Sequence, residues 1–93
     1  MFTGLIEDVG RFREWRGAEP NTKIVIESAL PLEQIVKGES IAVNGACLTV
    51  EEVFPAEKLF TCHVLRETID RTNLQTIQSG VALNLERALP KSE

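Results

Sequence analysis

Two positions apart in an alternating apolar run, Cys47 and Thr49 set a thiol and a hydroxyl on the same side of any extended strand. Leu48 and Val50 then point the other way, into a core. A thiol and a hydroxyl together on one face suggest a binding surface as much as a core. By residue type alone, Cys47 also reads as a small packing residue. A second group lies at His63, Val64, Leu65, Arg66, Glu67 and Thr68, where a strand pattern gives way to a helical turn. Backbone groups left free at such a junction can bond a ligand, with Glu67 as an acceptor and the Thr68 hydroxyl beside it. The same two side chains also suit helix capping. His63, the single histidine, has an ordinary pKa near 6.5 that fits a general base. No carboxylate is spaced to orient it, so that role is not expected.

Other chemistries drop out. A Ser-His-Asp set would have to use His63, and no Gly-x-Ser-x-Gly elbow is present. Without Gly-x-Gly-x-x-Gly or a Gly-Lys-Ser/Thr loop, nucleotide hydrolysis and dinucleotide redox chemistry are not supported. Cys47, Cys62 and His63 make only three candidate metal ligands, and adjacent Cys62 and His63 would point to opposite faces of a strand, so no metal site is expected. The net charge is −4 with scattered Lys and Arg, which argues against nucleic acid and anionic lipid. No apolar stretch approaches the roughly 18–20 residues needed to span a bilayer, and no basic segment leads a long apolar run at the start. These features predict a cytoplasmic protein with free thiols and no membrane partner.

The elements that must position these groups have a dominant period of two. Residues 23–27, 40–43, 47–53, 59–64 and 81–85 read as strands, and 4–15 as a sixth in which Gly10 marks a bulge. Asn44-Gly45 joins two of them in a tight turn. Six short strands predict an all-β fold, a small antiparallel barrel or sandwich. Its expected core is Ile24, Ile26, Ile41, Val43, Leu48, Val50, Val81, Leu83 and Leu85. Pro31 and Gly38 bracket a short helix over 32–37 with Leu32, Ile35 and Val36 inward, plugging one barrel end. A second helical turn spans 67–72 and hands over at Asn73, with Leu74 and Ile77 as apolar anchors. The 93 residues make one modest domain.

Four segments in order carry a resemblance: Met1-Phe2-Thr3-Gly4-Leu5-Ile6-Glu7, Val43-Asn44-Gly45-x-Cys47-Leu48-Thr49-Val50, Glu67-Thr68-x-x-x-Thr72-Asn73-Leu74 and Asn84-Leu85-Glu86-Arg87-Ala88-Leu89. Together they resemble the N-terminal half of riboflavin synthase (alpha chain). The resemblance implies a six-stranded antiparallel Greek-key barrel with one or two short helices. Residues 1–93 would be a single lumazine- and flavin-binding barrel, the first of two tandem repeats, with Pro90-Lys91-Ser92-Glu93 leading into a linker. It further implies transfer of a four-carbon unit between two molecules of 6,7-dimethyl-8-ribityllumazine, giving riboflavin, with no cofactor or metal. Stacking two flat substrates makes proximity and orientation the main source of acceleration.

In that reading the substrate frame is Gly4, Leu5 and Ile6, then Cys47, Leu48 and Thr49, then His63, Val64, Leu65, Arg66, Glu67 and Thr68. Junction backbone would read the imide edge of the lumazine, and Glu67 and Thr68 its ribityl chain. Ser40, Cys47 and Thr49 would be the polar groups near the reacting ring, with Phe2 as a lid or stacking wall. His63 replaces a residue commonly acidic in the family, and Arg66 one that is commonly proline or lysine. Full-length members imply a homotrimer, and the isolated barrel a homodimer with little activity of its own. A non-catalytic, antenna-type lumazine carrier is the alternative within the same fold.

Overall fold

The computed structural model describes residues 8–18, 20–72, 74 and 77–88. Six strands, β1 (Asp8–Arg16), β2 (Lys23–Glu27), β3 (Ser40–Val43), β4 (Ala46–Phe54), β5 (Leu59–His63) and β6 (Ala82–Arg87), close in the order β1-β2-β5-β4-β3-β6. Every pairing is antiparallel. β3, β4 and β5 follow one another as neighbours and β6 returns beside β3, which is the Greek-key connection. Between the strands lie the helix α1 (Arg66–Arg71) and the 3-10 turns Leu32–Gln34 and Pro55–Glu57. No helix among the described residues is long and apolar enough to cross a membrane.

Alternation accounts for the core. Ile24, Ile26, Ile41, Val43, Leu48, Val50, Leu83 and Leu85 are all buried, joined by Phe12, Phe60, Cys62, Val64 and Leu74. The β3–β4 hairpin turns through Asn44 and Gly45, at φ 50° and 84°, the pair of left-handed residues that a two-residue hairpin requires. Asn44 also bridges to β6: its amide donates to the Asn84 carbonyl at 2.8 Å, and its Oδ1 accepts from the Asn84 amide at 2.7 Å.

Four local expectations are corrected. Gly10 carries no bulge; the register of β1 shifts between Phe12 and Glu14 instead, with Arg13 as the extra residue. That shift lets Phe12 and Trp15 share the inner side, their rings 5.6 Å apart. The helix expected over 32–37 is a single 3-10 turn, and Ile35 is already extended at ψ 130°, which turns Val36 out to solvent. Val81 is not core: it precedes β6 and is 38% exposed. The second helical turn begins one residue earlier than expected, at Arg66, and ends before Thr72.

Two polar ties brace the barrel. Asp8 accepts from the Ser28 hydroxyl and the Ala29 amide, both at 3.0 Å, and Ser28 Oγ accepts from the Leu30 amide. Arg87 grips Glu39 with two bonds of 2.6 and 3.1 Å, fastening the end of β6 to the residue that precedes Ser40.

Candidate ligand groove

A shallow groove of about 350 Å³ lies between the start of β4 and α1, lined by Ala46, Cys47, Leu65, Glu67, Thr68, Arg71 and Thr72. Ala46 and Cys47 follow directly from the Asn44-Gly45 turn, so hairpin geometry sets the floor. The far wall is one face of α1, because 67, 68, 71 and 72 repeat at helical spacing. Leu74, fully buried, pins the chain just beyond the helix to the core. Thr72 closes it, donating to the Thr68 carbonyl at 2.7 Å while its oxygen accepts from the Leu74 amide at 3.2 Å. Leu65 is an exposed apolar side chain at the groove's edge, 59% accessible.

The cysteines divide between the two sides of the sheet. Cys47 is exposed in the groove and Cys62 is buried. Burial pushes the Cys62 thiol up to about 12 and hides it in the barrel, so Cys47 is the cysteine that a molecule in the groove can touch.

Beside the groove a row of side chains crosses the outer wall. Ser40 pairs with Thr49, Thr49 with His63, and His63 with Lys23, which places these four abreast on β3, β4, β5 and β2. Thr49 follows Cys47 by two residues on the same strand face, about 7 Å away. The His63 imidazole is turned to the 17–22 connection, its Nε2 3.1 Å from the Pro20 carbonyl. Lys23 reaches Glu51 at 3.5 Å and Glu52 at 3.7 Å.

Of the residues expected from sequence, Cys47, Leu65, Glu67 and Thr68 come together in the groove, and Ser40, Thr49 and His63 stand in the adjoining row. Leu48 and Val64 send their side chains into the barrel, leaving only backbone for a ligand. Arg66 pairs with Asp70 at 3.2 Å along the helix. Phe2, Gly4, Leu5 and Ile6 lie outside the described residues, as does Asn73. Ala46, Arg71 and Thr72 were not expected in the lining. The four-residue spacing from Glu67 to Arg71 and from Thr68 to Thr72 is the signal that points to two of them. Among the described residues no group of three or more His, Cys, Asp or Glu could hold a metal ion.

Fold and groove together define a small Greek-key β-barrel with a ligand-sized recess against its outer wall. The chain belongs to the lumazine binding domain family, whose model matches residues 3–88. It is 39% identical to riboflavin synthase of Bacillus subtilis (strain 168) over 89 residues, 96% of this chain and 40% of that protein. Similarity to the riboflavin synthase of Mycobacterium tuberculosis (strain ATCC 25618 / H37Rv) is also 39%, over 95% of this chain and 43% of the relative. With riboflavin synthase of Schizosaccharomyces pombe it is 39% over 99% and 44%. The chain therefore spans less than half the length of these curated relatives.

Proposed function

We propose that this chain binds 6,7-dimethyl-8-ribityllumazine and riboflavin at the groove and its adjoining row, and supplies one of the two sites for four-carbon transfer in a riboflavin synthase. The observation that carries this reading is the groove itself: within a lumazine binding domain, Cys47 and the Glu67/Thr68 face of α1 converge on one recess of ligand size. The ring would lie against Cys47, Thr49 and Ser40, with the ribityl chain along Glu67 and Thr68. Gly4, Leu5, Ile6 and Phe2 complete the frame in this reading, which needs no metal or further cofactor and places the protein in the cytoplasm.

Removing a single hydroxyl tests it. Thr49→Val and Thr68→Val keep the side-chain shape, and each lost hydrogen bond is worth about 0.5–1.5 kcal/mol, or about threefold to tenfold in affinity. Fluorescence titration with riboflavin should show that loss in at least one variant. Unchanged affinity in both would remove the site assignment.

Because the reaction joins two lumazines, a barrel that offers one such groove binds without efficient turnover, as a homodimer; in a full-length enzyme the assembly would be a homotrimer. Sedimentation velocity at micromolar concentration should give a dimer, and lumazine turnover far below that of a full-length synthase. A strict monomer, or turnover comparable to a full-length synthase, would contradict this part of the reading.

A further inference from the structure

We propose that Arg71 makes this groove selective for a ligand whose ribityl chain ends in a phosphate, so that riboflavin 5′-phosphate binds more tightly than riboflavin. The inference rests on the ligand reading above. It starts from a residue that reading does not use. Arg71 lines the groove on the same helical face as Glu67 and Thr68, and the rise of about 1.5 Å per residue sets it about 6 Å further along α1 than Glu67. A chain that enters beside Cys47 and runs past Glu67 and Thr68 therefore brings its far end toward the Arg71 guanidinium.

The bonding around this arginine suits an incoming anion. Its ion pair with Glu67 is long, at 3.6 Å, and both side chains are largely in water, 81% and 78% accessible. Such a pair is weak and readily exchanged. Arg87, by contrast, is held by Glu39 through two short bonds at a largely buried site. The planar guanidinium fork matches two phosphate oxygens at once, whereas a neutral terminal hydroxyl gains one ordinary hydrogen bond from it. Glu67, released from Arg71, remains available to accept from the chain hydroxyls. Asp70, the other acid of the helix, is already paired with Arg66, which limits its repulsion of an anion. The helix thus separates two tasks: Glu67 and Thr68 read hydroxyls, and Arg71 reads the charge at the end.

The test titrates the full chain with riboflavin and with riboflavin 5′-phosphate, following flavin fluorescence. The phosphorylated ligand should bind about tenfold more tightly. That ratio should shrink as salt is raised, fall to about one in Arg71→Gln, and stay clearly above one in Arg71→Lys, which keeps the charge without the fork. Because Arg71 is so exposed, neither variant should disturb folding. Equal affinity for the two flavins, or a preference that Arg71→Gln leaves intact, would overturn the proposal. So would displacement of the phosphorylated flavin by inorganic phosphate at comparable concentration, since the groove would then be reading phosphate without the chain that carries it. Failure of both flavins to bind the unaltered chain would instead overturn the ligand reading, and this proposal with it.

Discussion

Phe60→Ala should lower the free energy of unfolding by about 4 kcal/mol, the largest loss expected from any single truncation in this barrel. Phe60 heads the fully buried side chains by volume and stands opposite Ile26 on β2 and Val53 on β4. Both flanking strands are tied by backbone hydrogen bonds and cannot collapse into the space, so the cavity term adds to the lost transfer energy. A small domain holds only about 5–15 kcal/mol in total, and the variant should be close to the edge of folding at 37 °C. Urea denaturation gives the number: a midpoint shift worth less than about 1 kcal/mol would mean that the barrel interior relaxes far more freely than this packing implies.

Gly10→Val should cost about 3 kcal/mol through the opposite fault, too much volume. A Cβ at position 10 would lie 2.6 Å from the Glu27 carbonyl oxygen and 2.7 Å from Leu85 Cδ1, with Ile26 Cγ2 at 3.2 Å. Leu85 can rotate, but the Glu27 oxygen is backbone, and moving it means prising β1 from β2. Even Gly10→Ala meets this obstacle, so it too should unfold at lower urea than the parent. If Ala proved neutral at position 10, the close approach of the two strands would have to be wrong.

Gly10 also shows where sequence reasoning stopped short. A strand glycine marks either a bulge or a close approach, and nothing local distinguishes the two. The bulge residue of β1, Arg13, is an ordinary solvent-facing arginine that leaves no trace in the hydrophobic pattern. Strands β2 and β3 were legible to the residue because each is a short apolar run rich in β-branched side chains with polar and turn residues at its ends. The same alternation put Cys47 and Thr49 outside and Leu48 and Val50 inside. Val36 and Val81 were misplaced because both stand beyond the end of a regular element, where periodicity no longer fixes direction. In the groove, Arg71 and Thr72 escaped notice for a related reason. The inward face of a six-residue helix depends on the anchor at Leu74, and that anchoring is a tertiary fact.

β6 pairs with β1 as well as with β3, and that closure governs how the molecule meets others of its kind. Among the described residues every strand of the ring has a neighbour on both sides, so the barrel offers no whole edge strand onto which a foreign strand could be stitched. Association through the closed wall of the barrel is then built from side chains laid against side chains. Its strength and register would then answer to single surface substitutions, and a mutation that opened the β1–β6 seam would expose a template for uncontrolled polymerisation.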